Sequence, residues 1–326
     1  MSGADCWIVT DGRASMRNQC LGLAEALGFA AVHKLARPRP WRRVLPVGFW
    51  PPSLAVQGPS GDPLCPPWPR VLIACGQNAV HLSVAVRRAS GGRTFTVQLE
   101  NPGVAPRHFD LVVPPRHDGL SGPNVFPSLG ALNRVTPALL KEAAEHFGPR
   151  FAHLPRPLVA VLVGGTSRRY RLTDGVARQL VAALHKAADG GAGLLVTASR
   201  RTGPTAMTIL REGLRDLPAV FWGGEGENPY SGFLALANHL VVTCDSAVMI
   251  SEAIATGKPV YLAQLEGDGG KFARFHRDLR SERRVVDRPF DGTLVSDWTP
   301  NPLDDAARVA AEVLRRLKSN RPTGRQ

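Results

Sequence analysis

At 326 residues with 44% hydrophobic content, the chain can fill the cores of about two ordinary domains, which excludes a wholly disordered protein. Its 40 Lys+Arg against 27 Asp+Glu leave a formal charge of +13, which fits a polyanionic partner such as RNA, an acidic membrane surface or a phosphorylated substrate. Arginine outnumbers lysine heavily and alanine, glycine and proline abound, so a GC-rich genome accounts for the same excess.

The chain enters its first strand, Cys6 to Thr10, with no basic n-region or long apolar h-region ahead of it. No apolar run approaches the roughly 18 residues of a membrane span, and we expect a cytoplasmic protein, at most peripheral to the inner membrane. A polar loop and a helix at about Asn18 to Leu27 open a βαβ unit. From Pro38 to Pro69 prolines recur among Trp41, Trp50 and Trp68. Proline removes backbone donors, so this stretch is no single regular element and reads as an ordered excursion facing an acceptor or a membrane. Alternation resumes with strand Val71 to Cys75, loop Gly76-Gln77-Asn78, helix Ala79 to Ala89 and strands Thr94 to Gln98 and Leu111 to Val113, the order of a parallel sheet. The five cysteines show no CxxC spacing, which argues against a disulfide framework or a zinc site.

After a helix near Pro137 to Phe147, the breaker-rich run from Gly148 through Pro157 has the composition of an interdomain linker, dividing the chain into domains 1–150 and 151–326. The second half restarts the pattern with strand Leu158 to Val163, helix Asp174 to Ala188, strand Gly193 to Thr197, helix Pro204 to Leu214 and strand Ala219 to Trp222. Helix Tyr230 to Ala237, strand His239 to Thr243, helix Ala247 to Thr256 and strand Pro259 to Leu262 follow. An amphipathic helix at Asp304 to Lys318 closes it. The fold class is therefore α/β, with two Rossmann-like parallel sheets.

Three loops carry the chemistry. Gly164-Gly165-Thr166-Ser167 follows an apolar strand, where its glycines let backbone donors approach an anion, although the GxGxxG spacing is absent. Arg168, Arg169 and Arg171 add charge there. Ser199-Arg200-Arg201-Thr202 occupies the same place after the next strand and offers guanidinium forks and hydroxyls to a diphosphate. In the run from Val242 to Val260, Asp245 or Ser246 caps a helix closed by Gly257, and Glu252 lies two turns in, where a carboxylate can accept from both ribose hydroxyls. Each has a plainer account: a tight strand-to-helix turn, solvated arginines, a packed helix glutamate.

The run from Asp245 to Pro259 resembles the donor-binding segment of GT-B glycosyltransferases, in which a glutamate on the corresponding helix holds the ribose. With Trp7 to Gly12, Asn18-Gln19, Gly22 to Leu27, Ser199 to Thr202 and Asn228-Pro229-Tyr230, the chain is similar to the elongated-mitochondria (mitochondrial fission) family and its bacterial relatives. That resemblance implies two domains facing a cleft, a terminal helix crossing back to the first domain, and a nucleotide-sugar donor in the second.

On this reading a glycosyltransferase-like enzyme acts on an envelope glycolipid acceptor. Asp11, at the end of the first strand, is the candidate base, with loop bracing through Arg13 and Arg17 as its alternative role. Arg200, Arg201 and the amides of Gly165 and Ser246 would hold the phosphates, and no DxD or His/Asp cluster suggests a metal or another cofactor. Gln77, Asn78, Glu100 and Asn101 would line the acceptor side. Two rivals stay open: a nucleotide-sugar epimerase or hydrolase, favoured by a carboxylate pair such as Asp11 with Glu100, and a non-enzymatic scaffold on an anionic membrane. No motif points to a specific nucleic acid, and the oligomeric state is left open.

Overall fold

The computed structural model describes residues 4–39, 53–296, 298, 301 and 303–319. Trp41, Trp50 and the stretch between them lie outside the described residues. The chain divides into two units, Met1–Arg134 with Asp304–Gln326, and Val135–Leu303.

In the first unit, strands β1 (Cys6–Thr10), β2 (Ala31–Leu35), β3 (Val71–Cys75), β4 (Phe95–Leu99) and β5 (Leu111–Val113) form a parallel sheet of order β2-β1-β3-β4-β5. β1 and β3 are apolar along nearly their whole length, and β4 is buried throughout although it carries Thr96 and Gln98, because both faces are covered. Side chains alternate between those faces. Cys6, Ile8, Val71 and Ile73 meet Cys20 and Leu23 of α1 (Ala14–Ala26) together with Val309 and Val313 of the last helix, α9 (Asp305–Ser319). Trp7, Val9, Leu72 and Ala74 meet Ala79, Leu82 and Val86 of α2 (Gln77–Ala89). Burying Val309 and Val313 contributes about 2 kcal/mol each. Asp305 adds a polar anchor, since its carboxylate accepts from the Gly130 amide at 2.8 Å and pairs with Arg308 at 2.7 Å.

The second unit repeats the plan with β6 (Leu158–Val163), β7 (Gly193–Ala198), β8 (Ala219–Trp222), β9 (His239–Thr243) and β10 (Val260–Ala263), in the parallel order β10-β9-β6-β7-β8. Its helices are α3 (Pro137–Phe151), α4 (Asp174–Asp189), α5 (Pro204–Gly213), α6 (Tyr230–Leu236), α7 (Ala247–Ala255) and α8 (Lys271–Ser281). Val159, Val161, Val163, Leu194 and Val196 pack with Leu180 and Leu184 of α4 and Leu210 of α5. α6 lies against β6, and α7 against β9 and β10.

The sequence-based division at 150/151 differs from this partition. α3 begins at a Thr136 cap, whose hydroxyl accepts from the Leu139 amide at 3.2 Å, and runs through Pro149 to Phe151. It packs on α6, with Phe151 edge-on to Phe233 at 5.4 Å between ring centroids, and so belongs to the second unit. The breaker-rich run is thus in part the end of a helix. β2 and α8 were also not foreseen: β2 is an edge strand holding His33 and Lys34, and α8 carries Lys271, Arg274, Arg277 and Arg280 around a narrow apolar stripe.

In each sheet one central strand marks the reversal of chain order: β1 lies between β2 and β3, and β6 between β7 and β9. Open parallel sheets bind ligands outside the carboxyl ends of the strands at such a point. No helix among the described residues is long and apolar enough to cross a membrane.

Candidate functional site

The loops that follow β6, β7 and β9 meet at the carboxyl edge of the second sheet. Asp245, two residues past β9, is 5% exposed, and its carboxylate is the point of convergence. Oδ1 accepts from the Thr243 hydroxyl at 2.7 Å, Oδ2 accepts from the Gly165 amide at 3.1 Å, and Oδ2 pairs with an Arg201 terminal nitrogen at 2.8 Å. The Thr243 hydroxyl accepts in turn from the Gly164 amide at 2.7 Å. A Cβ at residue 164 would strike the Asp245 carboxylate, and one at residue 165 would strike the Arg201 carbonyl, so both glycines are required by close approach.

The loop after β7 locks onto the same glycines. Ser199 and Thr202 both donate their hydroxyls to the Gly164 carbonyl, at 2.7 and 2.6 Å, and the Thr166 amide donates to the Arg201 carbonyl at 3.1 Å. Gly164, Gly165, Thr166, Ser199, Arg201, Thr202 and Asp245 are therefore one hydrogen-bonded cluster built from three strand ends. Ser167 stands apart, its hydroxyl accepting from the amides of Arg169 and Tyr170 at 3.3 and 3.2 Å in a local turn. Ser246 caps α7, accepting from the Met249 amide at 3.4 Å.

This geometry revises how the cluster can meet an anion. The Gly165 amide and the Arg201 fork, expected to face a ligand phosphate, are engaged by the protein's own Asp245, because a buried carboxylate must be neutralised and hydrogen-bonded. Arg169 and Arg171 are matched by Asp268 at 3.5 Å and Glu266 at 3.6 Å from the loop after β10. Still exposed at these loops are Arg168 and Arg200, and the first amides of α7 lie where the helix dipole adds partial positive charge.

Glu252, one and a half turns into α7, is half-buried and accepts from the Tyr230 hydroxyl at 2.5 Å. Burial pushes its carboxyl up to about 7, and the Tyr230 bond acts against that rise. The sequence singled out Tyr230 within Asn228-Pro229-Tyr230 but gave it no place in the site. Only the packing of α6 beside α7 reveals it.

The first sheet carries a separate polar cluster at its own carboxyl edge. Asp11, past β1, pairs with Arg13 at 2.7 Å and also accepts from the Arg13 amide at 3.1 Å. Burial alone would raise the Asp11 carboxyl, but the Arg13 hydrogen bonds and charge outweigh it and hold the carboxyl below its ordinary value. The bracing role is thus realised through Arg13, and a carboxylate so held is a weaker base than a free one. Glu100, past β4, has φ 65°, a left-handed conformation uncommon for a residue other than glycine. It accepts from the Gln19 amide nitrogen at 3.2 Å. Its charge and that of Asp11 both act on Arg13 and on Cys75. Gln77 donates to the Asn101 carbonyl at 3.1 Å beside them.

With this geometry established, comparison with known proteins is informative. The family model for Mitochondrial fission ELM1 matches residues 14–317. The mitochondrial fission protein ELM1 of Arabidopsis thaliana is 30% identical over 392 aligned residues, covering 95% of this chain and 90% of its own length. Among solved structures, the UDP-GlcNAc 2-epimerase from Neisseria meningitidis bound to UDP-GlcNAc aligns with a TM-score of 0.51 at 12% identity, over 95% of this chain and 99% of that one. Phytolacca americana UGT2 complexed with UDP-2fluoro-glucose and pterostilbene aligns with a TM-score of 0.50 at 11% identity, over 98% of this chain and 94% of that one. At such identities the structural likeness speaks for the fold alone, the paired parallel sheets of the GT-B type. The match along nearly the whole sequence goes further: the chain belongs to the mitochondrial fission ELM1 family.

Proposed function

We propose that this protein is a nucleotide-sugar enzyme that takes its donor at the carboxyl edge of the second sheet and transfers the sugar to an acceptor hydroxyl, on an envelope glycolipid. The observation that carries the reading is the meeting of three strand-end loops at the reversal point of the sheet, with a capped helix start and a half-buried glutamate behind them. Arg200 and the first amides of α7 receive the diphosphate, and Glu252 accepts from the ribose diol through charge-assisted hydrogen bonds. The Asp245 cluster keeps the loops in register and holds Arg201 beside the phosphate path. Two solved proteins of similar fold carry UDP-sugars, so uridine diphosphates come first among the donors to test.

Transfer requires a base for the acceptor hydroxyl and positive charge for the departing diphosphate. Asp11 is the base in this reading, oriented by Arg13, and Arg200 supplies the charge. A second reading, an epimerase or hydrolase on the same donor, is favoured by one observation: Asp11 and Glu100 both follow the carboxyl ends of strands in the first sheet, offering two carboxylates for proton transfer without an acceptor alcohol.

Calorimetry of the purified protein against UDP-, GDP-, ADP- and CMP-sugars tests the common part. Binding of one of them is expected, and no binding by any overturns both readings. With the bound donor identified, release of its nucleotide leaving group only when acceptor lipid is added supports transfer, whereas release or epimerisation in its absence supports the second reading.

A further inference from the structure

Among the described residues Glu252 has a single hydrogen-bond partner, and that partner comes from another helix. Tyr230 is the first residue of α6. Its amide donates to the Asn228 side-chain oxygen at 3.0 Å, which fixes the opening turn, and the preceding Pro229 is buried. The phenol then crosses to α7 and donates to Glu252 Oε2 at 2.5 Å. Both groups are half-buried. A tyrosine ring brings its hydroxyl to this point with only two side-chain torsions to fix, so the carboxylate it holds is well oriented.

Resting on the reading of Glu252 as the receptor for the ribose diol, we infer that Tyr230 is the positioning residue of that receptor: its hydroxyl holds one carboxylate oxygen, Oε2, and leaves Oε1 to accept from a nucleoside. This gives the Asn228-Pro229-Tyr230 run a task. Asn228 and Pro229 set the start of α6, and the start of α6 sets the glutamate.

The electrostatics agree with that geometry. Burial and the neighbouring Glu252 charge push the Tyr230 phenol well above its usual value, so the hydroxyl keeps its proton and remains the donor. Burial raises Glu252 to about 7, and Tyr230 is the one group on α6 that lowers it. No charged side chain enters that balance. Lys258, the cation that follows α7, is bound instead to the Leu234 and Ala235 carbonyls at 2.8 and 2.6 Å, at the far end of α6. Burial lowers Lys258 to about 8.

Loss of the phenol hydroxyl should therefore act through the ionisation of Glu252. The test uses the full chain as wild type, Tyr230→Phe and Glu252→Ala, with two readouts: the ligand-free titration of Glu252, followed by NMR of carboxylate-labelled glutamate, and UDP affinity by calorimetry between pH 6.5 and 9. Tyr230→Phe should raise the Glu252 midpoint by about one unit. It should also weaken UDP binding roughly three- to tenfold at pH 7.5, with the gap narrowing toward pH 9 as the glutamate ionises. Far-ultraviolet circular dichroism of each variant confirms that the comparison is between folded proteins. An unchanged midpoint, or unchanged UDP affinity in Tyr230→Phe where Glu252→Ala has lost it, overturns the positioning role and leaves the diol receptor standing. If Glu252→Ala binds UDP as well as wild type, or wild type binds none of UDP, GDP, ADP and CMP, the receptor reading fails and the role of Tyr230 falls with it.

Discussion

At the edge of the second sheet, the Asp245 carboxylate is closed off from solvent and accepts from a hydroxyl, a backbone amide and a guanidinium that come from three different strand ends. At the edge of the first, Asp11 is tied to Arg13 two residues away, through the amide and through a guanidinium that stands largely in solvent. Both are aspartates within two residues of the carboxyl end of an interior strand, yet they differ in what their removal disturbs. A tie across three loops fixes tertiary structure, whereas a tie within one loop fixes only that loop. Exposed local ion pairs contribute at most about 1 kcal/mol, while a buried donor left without its acceptor costs about 1–3 kcal/mol.

Four measurements break or sharpen this contrast. The largest effect is expected for Gly165→Val, because the branched side chain has to displace the Arg201 backbone; unfolding in urea should show a loss of about 3 kcal/mol. A loss within about 0.5 kcal/mol would mean that the loops after β6 and β7 are not interlocked as described. Next comes Asp245→Ala, which strands the Gly165 amide and the Thr243 hydroxyl and should cost about 2–3 kcal/mol by the same measurement.

Glu252 supplies a pH-dependent contrast of intermediate size. Its folded value of about 7 lies above the ordinary carboxylate value of 4.5. The folded state therefore holds the proton longer than the unfolded state, and stability is greatest below about pH 4.5, falls as pH rises toward 7, and levels off above it. Glu252→Gln removes that slope. The difference in urea midpoint between wild type and Glu252→Gln should open between pH 4.5 and 7 to the equivalent of roughly 2–3 kcal/mol. A difference that stays flat across this range would show that Glu252 ionises as an ordinary surface carboxylate.

The smallest effect is expected for Asp11→Ala, below about 1 kcal/mol in stability, since Arg13 gains solvent when it loses its partner. If Asp11→Ala and Asp245→Ala destabilise equally, the distinction between the two edges is wrong. Turnover should separate them in the other direction: Asp11→Ala should abolish sugar transfer while leaving donor affinity within about twofold, as expected of a base that does not touch the nucleotide.

Most strands and the loops that follow them were legible because periodic and continuous apolar runs report burial directly, whereas the order of strands within each sheet was not. β1, β3 and the sequence ends of β6 and β9 follow from Cys6 to Thr10, Val71 to Cys75, Leu158 to Val163 and His239 to Thr243. The convergence of Gly165, Arg201 and Asp245 was legible in kind, since all three follow neighbouring strands of a parallel sheet. Their mutual engagement was not. Spacing along the chain cannot reveal that Arg201 and the Gly165 amide close on Asp245, because that depends on how near the loops approach, and only the missing Cβ atoms at 164 and 165 hint at it. Tyr230 was hidden for a similar reason: it and Glu252 are 22 positions apart in sequence and meet through helix packing. α3 misled because Pro149 is read as a breaker, yet it is carried inside the helix that Thr136 starts and Phe151 anchors.

The most direct test of the donor site is to titrate isotope-labelled protein with UDP and follow the backbone amide resonances. The shifts should concentrate at Thr166, Arg200 to Thr202, Ala247, Val248 and Tyr230, with Thr10 to Arg13 and Glu100 to Gly103 left in place. Shifts confined to those first-sheet segments, with the amides around Asp245 and Glu252 unmoved, would contradict the assignment of the nucleotide to the second sheet.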